Sequence, residues 1–283
     1  MSLTGVDVSN FQGLPGDWRV AAGNIDWAAV KLTELGADGS RYVNPDAAAD
    51  WSYLKSAGKG RLAYLFGHAS TPPTTTVTLF AATLRAMGLE DGDAVCLDHE
   101  VSDGLSASAV AAWGRTVLAL LRDELDRVPL LYTFLSFAES GNCAGMGGYP
   151  LWIADPSSPE GHPRIPAPWV SHAIHQYVIT GPIDRDLAVY PDLASMRSAL
   201  GKKAPVPPAA PAPVLHVTGG DGTLTELAAA RKIPPSTIIR ITTEQTPGQY
   251  PKNVGDWLNA VLEGTVSPSA NLPAGLHLYL PGS

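Results

Sequence analysis

The chain has little from which to build a covalent or metal framework. Only two cysteines, Cys96 and Cys143, occur among 283 residues. That is too few for a disulfide-stapled fold or a structural zinc site. Cys96 lies in the apolar run AVCLDHE and reads as a small packed hydrophobe, so at most one isolated bridge is open to the pair. Positive charge is also scarce: 19 Lys and Arg face 27 Asp and Glu, a net charge of −8. A surface without a basic patch excludes nucleic acid as the main partner. No apolar run reaches the roughly 18 residues of a bilayer span, so membrane insertion is not expected. The opening MSLTGVDVSN lacks a basic stretch followed by an apolar segment, so no signal peptide is expected. Charged residues make up 16% against 45% hydrophobic, the reverse of a disordered chain.

Proline and glycine, by contrast, are plentiful, and proline concentrates. GKKAPVPPAAPAPV, residues 201–214, holds five prolines among alanine and valine and predicts an extended, semi-rigid spacer. It divides the chain into residues 1–200 and 215–283. The net charge up to residue 203 is −7 (15 basic, 22 acidic), and beyond it −1 (4 basic, 5 acidic).

The first part alternates short apolar runs with helical stretches. Strands are expected at 3–9, 28–34, 61–67, 93–100, 129–134, 149–154, 172–178 and around Ile183. Several are near-continuously apolar, as parallel strands buried on both faces would be. Residues 45–57, 74–87 and 106–127 carry apolar positions three and four apart, with Asn44-Pro45 and Ser106 marking helix starts. Eight strands with intervening helices predict an α/β fold, a (β/α) barrel. About 200 residues is short for that fold, so helices must be reduced, and Leu135–Pro150 offers no good one.

Barrels of this kind place chemistry at the C-terminal ends of their strands. Asp7 falls there in GVDVSNFQG, Asp98 and Glu100 in AVCLDHE, and Asp184 in GPIDRDLAVY, around the eighth strand. Alternation on a strand turns Asp98 and Glu100 to one face and His99 to the other. Two crowded carboxylates cannot both ionise easily, so one should hold a proton near neutral pH, as a general acid must. Such a pair is the usual equipment for breaking a glycosidic bond, although D-x-E alone also arises on solvated strands. Tyr64, Tyr132, Trp152 and Tyr177 fall within or at the ends of candidate strands, where aromatic faces could stack on sugar rings or fill the barrel. His172 and His175, three apart on a strand, would point to opposite faces, so no metal site is expected, nor any cofactor. Gly219-Gly220-Asp221-Gly222 lacks the lysine–serine pair of a phosphate loop.

Taken together, the motifs resemble the family 25 glycoside hydrolases, lysozymes that cut peptidoglycan. GVDVSNFQG is similar to that family's opening signature and IDWAAVKLTELG to the element after it. AYLFGHAS, LDHE, YPLWIAD and HQY…IDRDL follow in the family's order across residues 5–190. The resemblance implies N-acetylmuramidase activity, with Glu100 as proton donor to the leaving oxygen. Asp98 would stabilise the positive charge at the sugar or position the substrate's N-acetyl group. Asp7 and Asp184 would flank and tune the pair, with Asp186 the competing residue at the last place. His99, Leu65 and Leu35 depart from the family pattern. Leu65 stands where a histidine is common and puts one polar contact of the cleft in doubt, while Leu35 implies a different loop after Glu34.

Residues 215–283 resemble a LysM module, a small α+β (βααβ) unit that binds N-acetylglucosamine-containing glycans. LHVTGGDGTLTELAAARKI and PAGLHLYLP are similar to its two ends. Thr223 would cap the first helix, and VGDWLNAVLEG (254–264) would form the second. The whole then implies a monomeric, modular peptidoglycan hydrolase of the phage endolysin type, held in the host cytoplasm until release, with bacterial peptidoglycan as its partner. A secreted bacterial autolysin, a catalytically dead wall-binding protein and a barrel glycosidase acting on chitin remain the competing readings.

Overall fold

Apolar residues on both faces of successive strands close a barrel. In this computed structural model the described residues are 2–201 and, beyond them, Val214–Val217, residues 223, 225, 226 and 229, and His277–Leu280. The strands of the first part are β1 (Leu3–Val8), β2 (Trp27–Leu35), β3 (Arg41–Val43), β4 (Gly60–Phe66) and β5 (Ala94–Asp98). They continue with β6 (Leu130–Phe134), β7 (Leu151–Ala154), β8 (Ile174–Val178) and β9 (Asp184–Ala188). All but β3 join one ring, in the order β1-β2-β4-β5-β6-β7-β8-β9 and back to β1. β3 is a hairpin strand on the outer edge of β2, with Glu34 opposite Tyr42.

The ring is mixed rather than wholly parallel. β9 runs antiparallel to both β8 and β1, while the other ring pairs are parallel. Only residues 179–183 separate β8 from β9, too few for the crossover a parallel return requires. Consequently β9 begins, rather than ends, at the mouth where the parallel strands end, and Asp184 sits opposite Asp7.

Helices cover the outside unevenly. They are α1 (Pro15–Ala22), α2 (Ala47–Ser56), α3 (Pro73–Ala86), α4 (Ala107–Leu125), α5 (Leu135–Phe137) and α6 (Leu193–Leu200). The Ser106 hydroxyl accepts the N–H of Ala109 at 3.4 Å, as its position before α4 predicts. Asn44 sets the entry to α2: its carbonyl oxygen accepts the Asp46 N–H while its amide donates to the Lys31 carbonyl on β2. α1 and α6 were not expected, being only eight residues each. Leu135–Pro150 is also not devoid of helix: α5 runs on into a wider turn, Ala138–Asn142, whose Ser and Gly carry no propensity signal. Burial of Phe137 and Ala138 holds that segment instead.

Two apolar layers explain the continuous runs. Trp27, Ala29, Leu62, Ala94, Cys96, Leu130 and Ile174 pack inside the barrel. Their neighbours Ala28, Val30, Ala63, Val95, Leu97 and Leu131 pack outward under the helices. Inside, Gly5 and Trp27 are register partners, and the indole takes up the space beside the glycine. α6 closes the end away from the mouth: Met196 and Leu200 join the inner layer, and Arg197 donates to the Lys59 carbonyl just before β4. Cys96 and Cys143 are both buried and free.

The chain divides into two units, Met1–Ala204 and Pro205–Ser283. In the second, β10 (Val214–Val217) pairs antiparallel with β11 (His277–Leu280), Val214 opposite Leu280. Thr223 Oγ1 accepts the Glu226 N–H at 3.1 Å and the Glu226 carboxylate accepts the Thr223 N–H at 2.8 Å, a capping box. The glycine cluster 219–222, the helix expected at 254–264 and the interior of the Pro/Ala spacer lie outside the described residues.

Candidate active site

The mouth of the barrel opens onto a cavity of about 240 Å³ whose lining includes Asp7, Asp98, Glu100 and Asp184. Strand geometry delivers each of them. Asp7 is the penultimate residue of β1, Asp98 ends β5, Glu100 follows two residues later on the same face, and Asp184 starts β9. Past Glu100, Tyr132 and Gln176 the cavity continues into a groove of about 550 Å³ along Phe134, Ser136, Asp155 and Arg164. The cleft is therefore longer than a single sugar site.

Burial governs the protonation of these acids. It pushes Asp98 well above the usual carboxylate range, and the neighbouring Glu100 charge adds to the effect. Glu100 is likewise raised by burial, with Lys31 pulling the other way. Asp7 is pushed up to about 7, by burial first and by the Asp184 charge next. Asp184 is raised by burial as well. The cavity thus raises the titration of all four acids above the usual carboxylate range.

A continuous network runs beneath this group. The Tyr132 hydroxyl donates to Gln176 Oε1 at 2.8 Å, and Gln176 Nε2 donates to Asp7 Oδ2 at 2.7 Å. Those two bonds fix which way the amide points. Trp152 Nε1 donates to Asp186 Oδ1 at 2.7 Å. Asp186 is fully buried and raised by desolvation first and by the Asp7 charge next, and its Oδ2 is buried with no hydrogen-bond partner among the described residues. Asp184 lines the cavity and Asp186 lies under it; both positions the motif offered are occupied, at different depths.

Three of the four expected aromatics reach the site. Tyr64, Tyr132 and Trp152 line the cavity, with Trp152 as a floor packed edge-on against Trp27, Tyr64 and Tyr132. Tyr177 does not line it. The neighbouring Gln176 takes the inward position on β8, which turns Tyr177 to the other face, where its ring packs near His175. His99 points away from the carboxylates, as alternation requires, and stacks on Trp113 at 5.9 Å. Burial depresses it to about 4, so it is neutral. Leu65 lies in the outer layer and faces no cleft, so a histidine's absence there removes no contact from this cavity. The expectation that His172 and His175 point apart is corrected: His172 precedes β8, where alternation no longer holds, and the two rings meet at 6.3 Å. Among the described residues no group of three or more His, Cys, Asp or Glu is placed to hold a metal ion.

Six lining residues carry no role in the sequence analysis: Ser9, Phe11, Gln12, Lys31, Phe66 and Gln176. Lys31 stands in the motif AAVKLTE and Gln176 in HQY, but a lone Lys or Gln on a strand carries no chemical signature of its own. Phe11, 86% exposed at the rim, is marked only by being an aromatic that nothing covers.

A sequence profile described as Glycosyl hydrolases family 25 matches residues 6–185, more than half of the chain. No curated protein sequence matches. Among solved structures the barrel is similar to a bacterial lysozyme from Streptomyces coelicolor at 22% identity and a TM-score of 0.62, covering 72% of this chain and 99% of that one. It is also similar to a muramidase from Acremonium alcalophilum at 22% identity and a TM-score of 0.59, covering 70% and 98%. A third is a spore cortex lytic enzyme from Clostridium perfringens, at 21% identity and a TM-score of 0.58, covering 77% and 74%.

Proposed function

Since the chain belongs to glycosyl hydrolase family 25, and so is a glycoside hydrolase, we propose that it cleaves the peptidoglycan strand between N-acetylmuramic acid and N-acetylglucosamine. The observation that carries this reading is the pair Asp98 and Glu100, facing one cavity and both raised by burial. Glu100, the less buried of the two, is the general acid that protonates the glycosidic oxygen as the bond breaks. Asp98 lies deeper, and its Oδ1 is buried with no donor among the described residues. A substrate N-acetyl N–H would satisfy that oxygen, and in direct attack the same carboxylate would face the developing positive charge. Asp7, held by Gln176, and Asp184 opposite it set the charge around the pair. Tyr64, Tyr132 and Trp152 give the sugar an aromatic wall and floor. The longer cleft suits a polymer, and similarity to proteins named lysozyme and muramidase supports peptidoglycan over chitin.

The remaining chain reads as a Pro/Ala spacer, 201–214, and a LysM-like wall-binding module, 215–283. Antiparallel pairing of its two ends and the capping box at Thr223 support a βααβ unit. Weak binding by one such module raises the local concentration of substrate at the barrel.

The test is to digest purified cell wall and identify the new reducing ends. N-acetylmuramic acid ends are expected. N-acetylglucosamine ends would overturn the bond assignment, and no release at all would favour a binding protein.

A further inference from the structure

The cavity gathers four acids and one cation, and what fixes that cation lies behind the lining. Lys31 on β2 is the only Lys or Arg among the lining residues. Its Nζ sits 4.7 Å from the centre of the Phe66 ring and 5.6 Å from that of Tyr42, and it pairs with Glu34 Oε2 at 2.7 Å. Glu34 Oε1 meets His68 Nε2 at 3.1 Å, and His68 Nδ1 meets Asp103 Oδ1 at 2.8 Å. Asp103 Oδ2 accepts both the N–H and the hydroxyl of Ser70, each at 3.0 Å. Four charged side chains from β2 and from the loops after β4 and β5 thus stand in one row ending at the catalytic pair.

Two features set this row apart from an ordinary surface ion pair. Asp103 has a φ of 50°, a left-handed backbone that residues other than glycine seldom adopt, at the spot where its carboxylate spans His68 and Ser70. In addition, both ring nitrogens of His68 face a carboxylate oxygen, which only the doubly protonated imidazolium satisfies. Burial opposes that charge, and the bonds to Asp103 and Glu34 outweigh it. Asp38 in the β2–β3 turn is a further acid near the ring, and Phe66 packs against it at 5.3 Å. With His68 charged, the row Lys31, Glu34, His68 and Asp103 is electrically balanced. Without that charge Glu34 loses a partner and an orientation, and its full charge draws Lys31 away from the acids.

We propose that His68 is a positioning residue for the cleavage reaction: bridging Asp103 and Glu34, it locks the Glu34 carboxylate so that Lys31 faces Asp98 and Glu100. Lys31 favours the ionised form of both acids. Loosening the row therefore shifts both of their titrations to higher pH. Its effect on turnover rests on the muramidase reading, whereas the placement of Lys31 does not.

The experiment titrates the side-chain carboxyl carbons of Asp98 and Glu100 by NMR in the full chain, comparing wild type with His68→Gln and Asp103→Asn. In His68→Gln both titrations are expected to rise by about half a pH unit or more, with a smaller rise in Asp103→Asn. The pH profile of kcat should move the same way, with KM little changed. Asparagine tolerates the left-handed backbone, so Asp103→Asn carries the test if His68→Gln fails to fold. Unmoved titrations in a folded variant would overturn the proposal. Shifted titrations in a protein that releases nothing from cell wall would support it while removing the muramidase reading.

Discussion

The indole of Trp27 occupies the space that a side chain on Gly5 would need, and the two residues face each other across β1 and β2. The glycine that opens GVDVSNFQG and the tryptophan of IDWAAVK are therefore one packing unit, two residues before Asp7. Gly5→Ala should lower stability by about 1–3 kcal/mol, the usual cost of overpacking a tight core. Thermal or urea unfolding measures it; a variant as stable as wild type would mean that the indole can turn aside.

Asp7 offers a pH test with a definite sign. Its folded-state pKa, about 7, lies above the ordinary aspartate value of 3.8. Between those values the folded chain binds more protons than the unfolded one, so stability falls as pH rises through the window and stays lower above it. Asp7→Asn removes that loss while its amide can still accept from Gln176. The variant should be more stable than wild type by roughly 2–4 kcal/mol at pH 8 and nearly equal to it at pH 4. Melting curves at the two pH values decide, and a pH-independent difference would argue against a protonated cluster.

Glu100→Gln keeps the shape of the acid and removes its proton. Turnover should fall by roughly 100- to 10,000-fold, with wall binding through residues 215–283 intact. Removing residues 204–283 should do the opposite, weakening sedimentation with wall material while soluble fragments are still cleaved. Substantial turnover by Glu100→Gln would mean that another group supplies the proton.

Gln176→Glu is nearly isosteric and adds an acid beside Asp7. Protonated, the new carboxyl can still donate to Asp7; ionised, it repels it. Activity should be best preserved below pH 5 and lost progressively as pH rises, against a flatter wild-type profile. Parallel profiles for the two proteins would show that the amide only fills space.

Much of this was legible in the residues because strands of a barrel write their geometry into short apolar runs. The D-x-E at 98–100, the acid at 7 and three aromatics followed from alternation and from the rule about strand ends, whereas Asp184 reaches the mouth because the antiparallel β9 starts there. The antiparallel β9 was not legible, because direction depends on the five residues before it rather than on its own composition. Tyr177 was misplaced for a related reason: which of two adjacent residues faces inward depends on register, and Gln176 holds that place. α1 and α6 are short enough that burial, not propensity, decides them. Lys31, Glu34, His68 and Asp103 come together only in three dimensions, from segments 34 and 35 residues apart.

The reversed direction of β9 also settles where the barrel can be extended. The chain enters β9 beside the carboxylates and leaves it at the far end, where α6 seals the inner layer and ends at Gly201. A segment spliced on after Gly201 starts from the end of the barrel away from the acid-lined cavity. The cleaving half could thus be re-addressed to other surfaces, or carry a reporter, without any change to its cleft.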